Sequence, residues 1–141
     1  MGNRKINNVL IIDDNEIDQF ITQSVIKLAK CDAEVHSVSN VNEALYFLQK
    51  GLNGEIPIPE LILLDIHMPV LNGWNFLTEY QKLSHALTDK IVLVMFSSSI
   101  NKNDRKQAAN FQEIADFIEK PITVDKFNKI EKENFHKYEY V

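Results

Sequence analysis

The apolar residues of this chain fall into short, nearly continuous runs, and a stretch with helical spacing follows each run. Val9 to Ile12, Leu61 to Leu64 and Ile91 to Phe96 are the three longest runs. Continuous runs of this length predict strands that are buried on both faces, as in a parallel sheet covered by helices. A weaker alternation from Ala33 to Ser39 predicts an edge strand, and Ile114 to Glu119 predicts a short last strand.

A helical pattern follows each of these five segments, although the one over residues 101–110 is polar and only weakly amphipathic. The first helix carries Ile17, Ile21, Val25 and Leu28. The second is predicted to begin at the capping-box pair Asn40 and Glu43 and to stop at Gly51, before a loop over residues 51–60 that holds two Gly and two Pro. The remaining helices are predicted from Asn72 with an inner face of Phe76, Leu77, Tyr80 and Leu83, over residues 101–110, and over residues 123–135.

Five strand-then-helix units in 141 residues predict one α/β domain with an open parallel sheet and right-handed crossovers. The length leaves little room for a second domain. In such sheets the loops at the carboxyl ends of the strands build the functional site. The polar residues of interest should therefore directly follow the strands.

Acidic, hydroxyl and basic residues lie at the carboxyl ends of these strands. Asp13 and Asp14 follow the first strand, Asp65 ends the third, Ser97 ends the fourth and Lys120 follows the fifth. Three neighbouring carboxylates repel one another, and oxygen ligands without His or Cys partners favour Mg²⁺. The pattern predicts that Asp65 is a nucleophile that forms an acyl phosphate, with Lys120 and Ser97 contacting the phosphoryl oxygens.

Composition and charge exclude several classes of protein. The net charge is −5 and the basic residues are scattered, which argues against a nucleic-acid surface. No apolar run approaches the roughly 20 residues of a membrane helix, and the apolar stretch behind the amino terminus is too short for a signal peptide. Cys31 is the only cysteine, so an intramolecular disulfide is impossible. A cytoplasmic protein is expected.

Four motifs together resemble the receiver domain of bacterial two-component response regulators. They include the acid pair, an Asp-x-x-Met-Pro turn with Gly73 beyond it, a Ser at the fourth strand end and a Lys-Pro after the fifth. The resemblance covers residues 7 to about 136, and no output domain is expected after them. The matching segments are VLIIDDN (9–15), LILLDIHMPVLNGWNFL (61–77), IVLVMFSSSIN (91–101) and DFIEKPIT (116–123).

The resemblance implies a flavodoxin-like three-layer (βα)5 sandwich with strand order 2-1-3-4-5, an order that a member of this family illustrates. It implies a stand-alone receiver that takes a phosphoryl group on Asp65 from a partner histidine kinase or phosphotransfer protein. The reaction would depend on Mg²⁺ and switch the conformation within a phosphorelay. The protein would be a monomer or weak dimer and not an enzyme with turnover. Its output would be docking on a downstream protein or onward phosphotransfer, two possibilities that the sequence does not separate.

The resemblance also implies roles for individual residues. Asp14, Asp65 and the main-chain carbonyl of His67 would bind Mg²⁺, and Asp13 would act mostly through water. Ser97 and the aromatic Phe117 would move on phosphorylation, and Lys120 would pair with the phosphoryl group. Pro121 would hold Lys120 through a cis peptide. Pro69 and Gly73 are expected to shape the turn after Asp65.

The resemblance also implies roles for residues near these. We hypothesise that His67 and Ser99, each two residues past a site residue, set the lifetime of the acyl phosphate. A kinase that docks beside the first helix would contact Asn15, Asp18 and Thr22. The output surface would lie around the helix at residues 101–110 and the last strand, and would include Lys102, Arg105 and Phe117.

Several of these residues also have a simpler structural interpretation. Adjacent acids after a strand also suit a solvated helix amino terminus. Ser98 and Ser99 leave the register of Ser97 open, and His67 could be a simple exposed loop residue. Phe117 suits a core aromatic as well as a switch, and Trp74 is expected to pack at the start of its helix.

Three other functions are compatible with parts of this pattern. A haloacid dehalogenase-type phosphohydrolase also uses a strand-end Asp and Mg²⁺, but that family has a second acid where this chain has His67. A flavodoxin-like cofactor binder needs a phosphate loop after the first strand, where Asp13, Asp14 and Glu16 would repel a phosphate. A degenerate receiver that only binds partners is the third.

Overall fold

Five parallel strands form one sheet in the order β2-β1-β3-β4-β5 in the computed structural model, which describes residues 5–135. The predicted fold class is therefore confirmed, including the strand order. Residues 136–141, and with them the predicted end of the receiver core, lie outside the described residues. The elements in chain order are β1 Asn8–Ile12, α1 Glu16–Leu28, β2 Glu34–Val38, α2 Val41–Leu52, β3 Leu61–Asp65, α3 Gly73–Tyr80, α4 His85–Thr88, β4 Val92–Ser97, α5 Lys102–Ala108, β5 Ile114–Glu119 and α6 Val124–Asn134.

The strands separate two hydrophobic cores, because successive side chains of a strand point to opposite faces of the sheet. On one face Leu10 and Ile62 pack with α2, α3 and α4. On the other face Val9 and Leu61 pack with α1 and α6. Every residue of the central strand β3 is buried, which explains why its sequence is continuously apolar up to Asp65.

Asparagine begins most of the long helices. The side chains of Asn15, Asn40, Asn72 and Asn101 each accept a hydrogen bond from the backbone N–H three residues ahead. The predicted capping box at α2 is only half formed, since the Glu43 carboxylate accepts from the N–H of Ser39, not of Asn40. These caps fix the amino-terminal ends of α1, α3 and α5 beside the loops that follow β1, β3 and β4.

Three details of the helices differ from the predictions. Gly51 lies inside α2, which runs to Leu52, and its missing side chain leaves room for Ile58 of the following loop. The short helix α4 was not predicted, because only Leu87 within it is buried and one apolar residue makes no periodicity. The helix that starts at Gly73 ends at Tyr80, so Leu83 packs on the core from the turn beyond it.

The face of α1 that packs on the sheet is also not the one that the apolar spacing indicates. Ile17 and Leu28 are 71% and 69% exposed, whereas Thr22, Val25 and Ile26 are buried. The stripe that faces the sheet begins at the partly buried Asp18 and continues through the buried Thr22 and Val25, in the steps of four and three that one helix face requires. Its first two members are polar, so a search for apolar residues passes over them. None of the helices within residues 5–135 has the length and hydropathy to cross a membrane.

Candidate functional site

The carboxyl ends of β1, β3, β4 and β5 bring the predicted site residues to one edge of the sheet. Asp13 follows β1, with its N–H bonded to Val38 O at 3.1 Å, and Asp65 is the last residue of β3. Ser97 ends β4, and its carbonyl accepts from the N–H of Lys120 at 2.7 Å. The Lys120–Pro121 peptide bond is cis, as expected from the resemblance.

Three of these carboxylates form a cluster. One oxygen each from Asp13, Asp14 and Asp65 lies within 4.8 Å of the other two. Asp13 and Asp65 are buried, whereas Asp14 is exposed to solvent. Carboxylate oxygens at this spacing, open on one side, suit a hard divalent cation that keeps part of its water shell, so the donors fit Mg²⁺ or Mn²⁺.

Burial of these acids changes their proton affinity. Burial raises the pKa of Asp65 from 3.8 to about 6, and the charge of Asp13 adds to that rise. The charge of Lys120 and the hydrogen bond from His67 N–H to Asp65 Oδ1, at 3.3 Å, work in the opposite direction. Burial also raises the pKa of Asp13, against a hydrogen bond from Asn15 N–H at 2.9 Å and the contact with Lys120. The charged form of both acids is therefore disfavoured, mainly by burial, and a bound cation would favour it.

Lys120 places its ammonium group among these acids. Its Nζ lies 2.9 Å from Asp13 Oδ2, 2.9 Å from Asp18 Oδ2 and 3.5 Å from Asp65 Oδ2. It also lies 4.9 Å from the centre of the Phe96 ring. Asp18 is thus a site residue, whereas from the sequence it is expected only on a docking surface. In the sequence, the helical spacing of Asp18 with Thr22 and Val25 is the one sign of this contact, and the exposed Ile17 and Leu28 obscure it.

Ser97 is buried beside the cluster, but its hydroxyl is engaged within its own loop. Ser97 Oγ donates to Ser99 O at 2.9 Å and accepts from Ser99 N at 3.3 Å. The Ser99 backbone therefore holds the hydroxyl in an ST-type turn. To contact a phosphoryl group on Asp65, Ser97 would have to exchange this bond for a new one.

His67 extends from the loop after β3 toward the amino terminus of α5. Its Nε2 lies 3.6 Å from Asp104 Oδ2, and Asp104 is buried while His67 is half exposed. The same Asp104 oxygen accepts from the N–H of Asn101 at 3.2 Å in the capping box of α5. His67 thus connects the loop that carries Asp65 with the helix of the predicted output surface.

The turn after Asp65 requires close backbone packing. Gly73 donates its N–H to Ile66 O at 2.8 Å, and a Cβ at Gly73 would lie only 2.8 Å from Asp65 O. Pro69 precedes Val70, a fully exposed residue with φ of 67°, in the left-handed region that β-branched residues rarely adopt.

The predicted switch aromatic packs against other rings. Phe117 on β5 is half buried, and its ring centre lies 6.5 Å from that of Trp74. Trp74 in turn stacks on Phe111 with 5.9 Å between ring centres, and it is buried at the start of α3 as expected. Phe117 therefore contacts the helix that follows the Asp65 loop.

The predicted docking residues differ in exposure. Thr22 is 2% exposed, so the prediction that it contacts a kinase is wrong: the residue faces the sheet from α1. Asn15 accepts a hydrogen bond as the cap of α1, and Asp18 binds Lys120. Lys102 and Arg105 are exposed on α5.

Comparisons with known proteins agree with this arrangement. A family model of the response regulator receiver domain matches residues 9–131. A two-component response regulator of Oryza sativa subsp. indica, ORR1, is 26% identical over 133 residues, which make up 93% of this chain and 56% of the rice protein. The chain therefore spans little more than half the length of that relative.

Solved structures are similar over nearly the whole chain. A two-component response regulator from Cytophaga hutchinsonii has a TM-score of 0.83 and 28% identity, over 92% of this chain and 97% of its own. The Mn²⁺-bound form of the response regulator Rcp1, a protein of Synechocystis sp., has a TM-score of 0.71 and 26% identity, over 89% and 90% of the two chains.

Proposed function

We propose that this chain, which belongs to the response regulator receiver domain family, accepts a phosphoryl group on Asp65 and uses it as a signal. Phosphoryl acceptance on an aspartate is typical of that family in two-component signalling. The environment of the Asp65 side chain is the observation that supports assigning the phosphoryl group to this residue. Asp65 is buried at the end of β3 with two further carboxylates on one side and the Lys120 ammonium 3.5 Å away.

The raised pKa of Asp65 is compatible with nucleophilic attack. With a pKa of about 6, the carboxylate is mostly ionised at neutral pH and poorly solvated. In the proposed reaction one of its oxygens bonds to phosphorus while the phosphorus–nitrogen bond of a donor phosphohistidine breaks. Lys120 presents positive charge to the phosphoryl oxygens, and positioning with charge neutralisation accounts for most of the rate.

The acidic cluster supports a divalent cation as the cofactor, and we propose Mg²⁺. Asp14, Asp65 and the main-chain carbonyl of His67 would hold it directly, and Asp13 would act through water. When bound, the ion supplies the charge that offsets repulsion between the acids and an anionic phosphoryl group.

We further propose that phosphorylation moves Ser97 and Phe117. The Ser97 hydroxyl would leave Ser99 O for a phosphoryl oxygen, and Phe117 would shift against Trp74. A charge-assisted hydrogen bond contributes roughly 1.5–3 kcal/mol. Two or three such bonds that exist only with phosphate approach the roughly 5.5 kcal/mol that turns a 1:99 equilibrium into 99:1.

A histidine kinase or a histidine phosphotransfer protein is the proposed phosphate donor. The output would be docking of a downstream protein on α5 and β5, where Lys102 and Arg105 are exposed, or onward phosphotransfer. We propose a regulator that acts by conformational change, with only slow autodephosphorylation and no turnover of a separate substrate. Membership of the receiver family favours this proposal over the phosphohydrolase and flavodoxin-like alternatives.

Labelling with acetyl phosphate tests the assignment and separates it from a receiver that only binds partners. We expect phosphate on the intact protein with Mg²⁺ present, and none with EDTA or in Asp65→Asn. A folded wild-type protein that takes no label would favour the partner-binding alternative. Turnover of small phosphoesters would revive the phosphohydrolase.

A further inference from the structure

Lys120 is held by a carboxylate that has no part in the proposed reaction. Its Nζ makes hydrogen bonds of 2.9 Å to Asp13 Oδ2 and to Asp18 Oδ2, while Asp65 Oδ2 lies farther away at 3.5 Å. An ammonium group has three N–H donors, and its strongest bonds to carboxylates are near 2.8 Å. Two donors are thus directed at Asp13 and Asp18, and the contact with the proposed phosphate acceptor is the longest of the three.

The amino-terminal cap of α1 fixes the position of Asp18. Asn15 Oδ1 accepts from the Asp18 N–H at 3.0 Å, which holds the backbone of the first turn. Asp18 begins the stripe that continues through the buried Thr22 and Ile26. Its side chain is therefore directed toward the sheet edge where Lys120 lies, with 35% of its surface exposed.

Asp18 differs from the other two partners of Lys120 in its relation to the metal cluster. Within the described part of the chain, the cluster comprises Asp13, Asp14 and Asp65 and leaves Asp18 outside. A cation in the cluster would weaken the pull of Asp13 and Asp65 on Lys120, because it neutralises their charge. The attraction of Asp18 would remain, so a phosphoryl group on Asp65 has to compete with Asp18 for Lys120.

We propose that Asp18 is a positioning residue that draws Lys120 away from Asp65 and so weakens the hold of the site on a phosphoryl group. This inference rests on the proposed function and describes how that same site is regulated. Hydrogen bonds to Asp18 and Asp13 raise the pKa of Lys120 although burial alone would lower it, so the lysine stays charged and available to either partner.

The first test uses beryllium trifluoride, a mimic of the phosphoryl group, titrated into the protein with Mg²⁺ in a calorimeter. Asp18→Asn keeps the shape of the side chain and the capped backbone but removes the charge. Because the pair is partly exposed, we expect about two- to fivefold tighter binding. Asp18→Glu, which restores the charge, should return the affinity close to wild type.

Glu16→Gln is the matched control. Glu16 is exposed in the same first turn of α1, so its substitution removes one negative charge at the same helix end without touching Lys120. Its effect measures the general electrostatic contribution. An Asp18→Asn affinity equal to that of Glu16→Gln would overturn the inference.

A second readout needs neither metal nor phosphate. Lys120 Nζ lies 4.9 Å from the centre of the Phe96 ring, so the ring current makes the NMR signals of the Lys120 ε-methylene sensitive to small movements. In metal-free protein Asp18→Asn should shift these signals and Glu16→Gln should not. Unchanged Lys120 signals in Asp18→Asn would also overturn the inference.

The binding experiment distinguishes a failure of the proposed function from a failure of the role proposed for Asp18. Wild-type protein that does not bind beryllium trifluoride would contradict the proposed function together with this inference. Wild-type binding with no gain in Asp18→Asn beyond the control would leave the proposed function standing and remove only the role of Asp18.

Discussion

Replacing Asp65 with asparagine should make the metal-free protein more stable at neutral pH. The buried carboxylate has its pKa raised from 3.8 to about 6, and this net rise already includes the attraction of Lys120. This rise in the pKa of Asp65 corresponds to roughly 3 kcal/mol of lost folding stability once the carboxyl group is ionised. Asparagine removes the charge and keeps an oxygen that can accept from His67 N–H, as Asp65 Oδ1 does at 3.3 Å.

The sign of the pH dependence follows from the direction of the shift. Because the folded state holds the Asp65 proton more tightly than the unfolded chain, the stabilising effect of protonation is fully present below about pH 4. It is lost as the pH rises through about 6. The advantage of Asp65→Asn should therefore be small at about pH 4 and reach about 2–3 kcal/mol well above pH 6.

Urea unfolding in EDTA across that pH range measures the difference directly. Asp32→Asn is a matched control, since Asp32 is an exposed aspartate outside the cluster and its removal should change the free energy of unfolding by less than about 0.5 kcal/mol. The raised pKa of Asp65 would be contradicted if Asp65→Asn were less stable than wild type at neutral pH. It would also be contradicted if the two free energies of unfolding differed by the same amount at every pH.

Three further predictions concern the loops around the site. His67→Ala and Ser99→Ala should change the rate of autodephosphorylation, and unchanged rates in both would remove the lifetime hypothesis. Gly73→Ala should cost about 2 kcal/mol or more in urea unfolding, because the new methyl group would lie 2.8 Å from Asp65 O and the backbone must move; equal or greater stability would contradict that packing. Val70→Asn should stabilise the protein by about 0.5–1 kcal/mol in the same assay, because Asn tolerates the left-handed φ of 67° better than valine and no packing is lost. A loss of stability there would show that Val70 makes contacts in solution.

The strand-end residues of the site could be predicted from the sequence because a parallel sheet imposes their proximity. Once β1, β3, β4 and β5 are identified, the topology brings Asp13, Asp65, Ser97 and Lys120 to one edge without knowledge of any side-chain conformation. Continuous apolar strands and asparagine caps are local features, and they were sufficient for the fold class.

The contacts between helices and the site could not be predicted in the same way. The Asp18–Lys120 bond depends on which face of α1 meets the sheet, and the exposed Ile17 and Leu28 conceal that face. The approach of His67 to Asp104 depends on the distance between two loops, which no spacing along the chain records. The prediction that Thr22 lies on a docking surface is wrong for the same reason as the missed Asp18–Lys120 bond, because the sequence does not show which face of α1 meets the sheet.

Mass spectrometry after incubation with acetyl phosphate and Mg²⁺ can determine whether Asp65 carries the phosphate. We expect the intact protein to gain the mass of one phosphoryl group, and borohydride reduction to locate it on the peptide containing Asp65. Asp65→Asn and EDTA should each abolish the gain. Phosphate on another residue, or labelling of Asp65→Asn equal to wild type, would contradict it.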